Sequence, residues 1–255
     1  MTALQDTATA DALAGVAGLV VIPAFNEEDS IAEVVRSIIL ASGFPVLVVS
    51  DHSTDDTVAQ ARSAGAEVIT LPVQLGPWGA TQTGLRYASQ RGYDVVLSMD
   101  ADGQHLASDI AAVVRPLAEG EADVAIGAFT ERGSALRKFA WVLLRWTSSL
   151  RLDDITSGFR AYGRAAVECL ASEEATLLAY PDVGVLLLLQ SRGLRVVDVP
   201  VTMRERHNGA SRVFSSWFTV MLYMLQTLLL GLSKRPLQKI TPQDSRQGAR
   251  RKGDS

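Results

Sequence analysis

Asp100-Ala101-Asp102 follows directly on the apolar run Val95-Val96-Leu97-Ser98-Met99. Charges at the end of a buried strand lose hydration, and a cation or hydrogen-bond donors must offset that loss. Both carboxylates can reach one hard divalent ion, Mg2+ or Mn2+, whose remaining ligands are diphosphate oxygens. Plain surface turns also carry Asp-x-Asp, so the weight of the motif depends on what stands beside it.

The elements that would position these residues follow from periodicity. Apolar β-type runs recur at 19–22, 46–49, 67–71, 95–99 and 123–126. Between them, Ile31, Val34, Val35, Ile38 and Ile39 share one helical face, and 78–90 has the spacing of another helix. Apolar strands alternating with helices predict an α/β fold with a mostly parallel sheet covered on both faces, and ligands at the carboxyl ends of its strands. The first run ends in Pro23-Ala24-Phe25-Asn26-Glu27-Glu28, the second in Ser50-Asp51-His52-Ser53-Thr54-Asp55-Asp56, and the fourth in Asp100, Asp102, Gly103, Gln104 and His105. One sheet edge therefore gathers acidic and amide groups. Each loop also has a plainer use: Ser53 and Asp55 suit a cap for a helix beginning near Thr57, and Glu27 and Glu28 favour the dipole of the first helix.

Composition narrows the function classes. The 255 residues are 47% hydrophobic and 20% charged, enough for one substantial core. A formal net charge of -4 argues against a nucleic-acid binder, which needs a basic surface. Cys169 is the only cysteine, which excludes an intrachain disulfide and suits a reducing compartment. The N-terminus has no basic n-region, so a cytoplasmic protein is expected. Neither GxGxxG after the first strand nor GxxxxGK[ST] is present, which removes the usual signatures of dinucleotide oxidoreductases and P-loop NTPases.

Taken together, Val21-Ile22-Pro23-Ala24-Phe25-Asn26-Glu27-Glu28, Ser50-Asp51-His52-Ser53-Thr54-Asp55, Gly79-Ala80 with Gly84, and Asp100-Ala101-Asp102-Gly103-Gln104-His105 resemble the family 2 glycosyltransferases. Thr156-Ser157-Gly158-Phe159-Arg160 and Arg206-His207-Asn208-Gly209-Ala210-Ser211 are similar to the branch that includes dolichol-phosphate mannose synthases. The resemblance implies a GT-A type, Rossmann-like nucleotide-sugar-binding fold and sugar transfer with inversion. It implies that Pro23, Phe25, Glu27, Asp51 and Gly79 line the nucleotide side, and that Asp100 and Asp102 handle a metal-bound diphosphate. Two departures fall on that side: the family's usual Asp-Asp-Gly is Ser50-Asp51-His52, and its Asn-x-Gly is replaced by Gln74-Leu75-Gly76-Pro77-Trp78-Gly79. Trp78 either stacks on a ligand or packs the start of its helix, the latter being favoured.

On the acceptor side, Asp182 in Tyr180-Pro181-Asp182-Val183 is the candidate general base, although Pro181 and Asp182 also make a good helix start. Arg160 and Arg206 are candidates for phosphate binding, with Gly209 and Ser211 letting the second loop close over the nucleotide. His105 and His207 sit among hard oxygens without a His/Cys cluster, so structural or hydrogen-bonding roles are expected.

Residues 213–232 form an uncharged run of 20 whose Ser215, Ser216, Thr219 and Gln226 fall largely opposite its large apolar side chains. That favours an interfacial helix over one packed on the domain or a true span. The tail 234–255 has seven Lys or Arg and two Asp, and Arg137, Lys138 and Arg145 stand among aromatic and aliphatic residues in 135–151. These features point to peripheral membrane contact and a lipid-linked acceptor. The expected organisation is a flexible terminus (1–17), a glycosyltransferase domain (18–212), an apolar or amphipathic helix (213–233) and a disordered basic tail (234–255). The function expected is transfer of a sugar from a nucleotide diphosphate to a polyprenyl phosphate or lipid-linked glycan. The alternatives are an inactive sugar-nucleotide-binding scaffold, or a nucleotidyltransferase, whose Gly-rich basic loop is missing from 23–28.

Overall fold

The computed structural model describes residues 13, 15–129, 157–178 and 183–204. Seven strands form one sheet: β1 (Gly18–Ala24), β2 (Val46–Ser50), β3 (Glu67–Thr70), β4 (Val95–Ser98), β5 (Val124–Ala128), β6 (Arg160–Gly163) and β7 (Val196–Pro200). The spatial order is β3-β2-β1-β4-β6-β5-β7, and β6 alone runs antiparallel to its neighbours. The helices are α1 (Ile31–Ser42), α2 (Thr57–Ser63), α3 (Gly76–Arg91), α4 (Ile110–Ala118), α5 (Arg164–Ala171), α6 (Glu173–Thr176) and α7 (Val183–Ser191).

The chain winds outward from β1 through β2 to β3, then crosses back to place β4 on the other side of β1. The strand order thus reverses between β1 and β4, and connections leaving their carboxyl ends diverge to open a crevice. β1, β2 and β4 bury every residue but one, because helices cover both faces. On one face Val20, Ile22 and Val48 meet Ile31, Val35 and Ile38 of α1 and Val113 and Val114 of α4. On the other, Val21, Leu47 and Val49 meet Trp78 and Leu85 of α3, with Val167 of α5 and Leu186 of α7 in the same cluster.

The five strands expected are all present, with ends shifted by one or two residues. β3 departs from the expectation of burial on both faces: as an edge strand it has no fully buried residue. Of the five residues that share one face of α1 by spacing, Ile31, Val34, Val35 and Ile38 are buried and Ile39 is 37% exposed. Trp78 packs: it is 2% exposed, and its indole N–H donates to Ala175 O at 2.8 Å. The residues 130–156, 179–182 and 205–255, with Asp182, Arg206, His207, Gly209, Ser211, the basic stretch 135–151 and the apolar run 213–232, lie outside the described residues. Among the described residues no helix is long and apolar enough to cross a membrane.

Gly84 sets the distance between α3 and the sheet, because a Cβ there would overlap Val21 Cγ1 at the centre of β1. Both neighbours are buried, so neither can give way without disturbing the core. Gly84→Ala is expected to lower unfolding free energy by about 1–3 kcal/mol. Urea titration checks this, with an unchanged midpoint as the contrary result.

Candidate active site

Six chain segments gather at this edge of the sheet: those after β1, β2, β4 and β7, the loop that opens α3 and the residues before β6. After β1, the turn at Asn26 takes φ 54°, a conformation asparagine tolerates better than most residues. The loop after β2 is bonded to it residue by residue. Asn26 N–H donates to Ser53 Oγ at 3.1 Å, Glu27 N–H to Thr57 Oγ1 at 2.8 Å, and Glu28 N–H to Asp55 Oδ2 at 3.3 Å. In return Thr54 N–H donates to Asn26 Oδ1 at 2.8 Å and Asp56 N–H to Glu28 Oε2 at 2.9 Å. Five such bonds lock the two loops into one clamp and leave Pro23, Phe25 and Glu27 half-buried at its edge. The N-cap of α2 is Asp56, without a side-chain cap bond; Asp55, one residue earlier, accepts from Thr57 N–H at 3.0 Å, Ser53 serves Asn26, and Glu28 serves Asp56 rather than only the dipole of α1.

Asp51 is 3% exposed, and its carboxylate accepts from Leu75 N–H at 2.6 Å and Gly76 N–H at 2.9 Å. It thereby anchors the loop that opens α3, where Gly79 sits half-buried against Leu75. A charge-assisted bond to the otherwise unsatisfied N–H groups of a helix start is a favourable use of a buried carboxylate.

Asp100 and Asp102 stand at the end of β4 on a turn closed by Gly103 at φ 72°. Gln104 N–H donates to Asp102 Oδ1 at 3.1 Å. Because β6 runs antiparallel, its start lies beside the end of β4: Ser98 pairs with Arg160, and Ser98 Oγ donates to Gly158 O at 2.8 Å. This brings Ser157 and Gly158 against Asp100, whose side chain is 48% exposed. Arg160 is enclosed, at 1% exposure, and its Nε–H donates to Ser157 O at 2.9 Å, so in this conformation it braces the turn rather than facing open solvent. The segment after β7 closes the group: Arg204 N–H donates to Gln104 O at 2.9 Å, and Met203 forms an antiparallel bridge with His105.

Asp100 and Asp102 offer hard oxygen donors, and among the described residues no group of three or more Asp, Glu, His or Cys converges as a complete metal-holding set. Such a pair fits an ion whose coordination is completed by substrate phosphate oxygens. Cys169, half-buried on α5, packs against the apolar cluster, and burial pushes its thiol pKa up.

Sequence reasoning missed β6 and β7, and with them the adjacency of Gly158, Met203 and Arg204 to the Asp-x-Asp turn. β7 carried a usable signal in Val196-Val197-Asp198-Val199; the four residues of β6 carried almost none.

A mostly parallel α/β sheet whose strand order reverses between β1 and β4 is the architecture of the GT-A fold. The sequence model of the family described as glycosyl transferase family 2 matches residues 19–170, and the chain belongs to that family. It is 29% identical over 216 residues to the polyprenol monophosphomannose synthase of Mycolicibacterium smegmatis, covering 78% of this chain and 81% of that one. It is 30% identical over 214 residues to the undecaprenyl-phosphate mannosyltransferase of Micrococcus luteus, covering 76% and 86%. Among solved structures, the glucosyl-3-phosphoglycerate synthase of Mycobacterium tuberculosis in complex with Mn2+, UDP and phosphoglyceric acid superposes with a TM-score of 0.66 at 22% identity, covering 89% and 81%.

The clamp has a pH dependence of defined sign. Burial raises the Asp55 pKa, but the Thr57 hydroxyl, the Thr57 N–H and the Glu28 N–H outweigh it and hold the carboxyl below its ordinary 3.8. A depressed folded-state pKa contributes stability that is present above the unfolded value and lost as pH falls through the folded one. In Asp55→Asn the melting temperature should therefore fall less steeply than in wild type as pH drops below 3.8. Parallel acid limbs in the two proteins would refute this.

Proposed function

We propose that this glycosyltransferase moves a sugar from a nucleotide diphosphate to a polyprenyl phosphate, with inversion at the anomeric carbon. The observation that carries the proposal is the half-exposed Asp100 carboxylate beside Asp102 at the switch point of the sheet. The names of the two mannosyl-transferring relatives support the acceptor class.

In the proposed reaction an acceptor phosphate oxygen forms the new bond to the anomeric carbon while the bond to the donor diphosphate breaks, its electron pair leaving with the nucleoside diphosphate. A divalent ion, Mg2+ or Mn2+, held by Asp100 and Asp102 would neutralise the charge developing on that leaving group. Pro23, Phe25 and Glu27 would line the nucleotide side, with Asp51 and Gly79 shaping its floor. Arg206, Gly209 and Ser211 would close over the phosphates, and Arg160 would support that side from beneath. A polyprenyl acceptor places the enzyme on a membrane surface; the basic tail and the run 213–232 would supply a peripheral contact on the cytoplasmic face.

The donor is tested by thermal shift against UDP-, GDP- and dTDP-sugars with and without Mn2+. One nucleotide should raise the melting temperature in a metal-dependent way, because only the folded state binds it, and Asp102→Ala should abolish the rise. A metal-independent shift that survives in Asp102→Ala would remove the metal from the proposal.

The acceptor class is tested at Asp182. A phosphate is already ionised near neutral pH and needs no general base, whereas removing a base from hydroxyl transfer costs about 10²–10⁴-fold in rate. With undecaprenyl phosphate as acceptor, Asp182→Asn should retain kcat within about tenfold of wild type. A collapse by the larger factor would assign a hydroxyl acceptor instead.

A further inference from the structure

We infer that His105 is a positioning residue that fixes the orientation of the Asp100 carboxylate toward the metal-bound diphosphate. The inference rests on the assignment of Asp100 and Asp102 proposed above and adds what holds the first of them in place.

A carboxylate at the tip of a strand, with its side chain 48% exposed, needs lateral contacts to keep one orientation. Gly158 provides one wall, since a Cβ there would overlap Oδ1 and stand 2.6 Å from Oδ2. His105 provides a second contact, with Nε2 3.2 Å from Asp100 Oδ2. The imidazole is itself immobile: its side chain is 3% exposed, and its ring lies 5.3 Å from that of the fully buried Phe159.

The other ring nitrogen shows why the residue is histidine. Nδ1 is buried and has no hydrogen-bond partner among the described residues. A buried polar atom left in that state costs stability that a phenylalanine or leucine in the same space would not. The ring is therefore poorly explained as packing, and the contact its polarity serves is Nε2 with Asp100. Facing a carboxylate acceptor, Nε2 is the donor of this contact. The bridge to Met203 and the bond from Arg204 N–H to Gln104 O then fasten the histidine's backbone, so the segment after β7 sets the height of the ring.

The test measures Mn2+ binding in the presence of UDP, and separately of GDP, from the loss of the free-ion paramagnetic resonance signal. It compares wild type, Asp102→Ala, His105→Phe and His105→Gln, with a melting temperature for each. Wild type should take up Mn2+ with one nucleotide and Asp102→Ala should not. His105→Phe should weaken Mn2+ binding about tenfold or more, the range found when a ligand's hydrogen-bonded support is removed. His105→Gln, whose amide nitrogen can reach the same oxygen, should recover most of that loss even if it melts no higher than the Phe variant. Binding unchanged in His105→Phe, or equally weak in both variants, would overturn the inference, since the first denies the contact and the second reduces it to packing. Failure of the underlying assignment looks different: wild type itself would bind no Mn2+ with either nucleotide, and the inference would fall with it.

Discussion

The requirement that a charged group at the end of a buried strand be held, not merely tolerated, organises this molecule. β4 is buried throughout, and only the buried Met99 separates it from Asp100. Two of the contacts that meet the requirement are the glycine backbone of Gly158 and the buried imidazole of His105. Neither comes from the α/β units that precede β4. Both the reversed strand β6 and the segment after β7 must be in place before the site has walls, so the described residues from 157 onward are as necessary to the Asp-x-Asp turn as the strands that precede it.

The reversal of β6 has a second effect. A parallel strand at that position would bring its carboxyl end to the crevice; an antiparallel one brings the residues that precede it. Ser157 and Gly158 reach Asp100 for that reason, and Arg160 is drawn inside the sheet with its Nε–H committed to Ser157 O. The enclosed guanidinium thus stiffens the turn from which Gly158 approaches the carboxylate. Glycine there is a matter of clearance: any larger residue would push Asp100 off the axis on which His105 meets it.

Much of the architecture was legible because the first strands obey simple rules. Runs such as Val46-Leu47-Val48-Val49 are apolar throughout, as strands covered on both faces must be, and the stripe from Ile31 to Ile38 has the helical period. β6 was not legible because four residues including an arginine carry no period, and its burial depends on partners distant in sequence. The acidic strand ends of the site were legible for a related reason: parallel topology alone puts them on one edge. Their couplings were not. Nothing in Ser53 or Thr57 announces a bond to the backbone of Asn26 or Glu27, because those bonds span about 30 positions and exist only once β1 and β2 are paired.

The departures from the family pattern can be judged by the same physics. Where the usual motif has glycine after the aspartate, His52 takes φ 64°, a backbone conformation that glycine adopts freely and other residues adopt at a cost of about 1 kcal/mol. The surrounding bonds enforce it: Asp51 N–H donates to Ala24 O at 2.8 Å, the Asp51 carboxylate holds Leu75 and Gly76, and Ser53 N–H donates to Ser50 Oγ at 3.3 Å. The backbone trace of a glycine turn is therefore kept while the hydrogen atom is exchanged for an exposed imidazole. Likewise, loss of the Asn-x-Gly pattern leaves α3 anchored, because Trp78 is fastened to Ala175 and Asp51 holds the loop before it. Both substitutions keep the backbone of these two turns and change the side chains it displays.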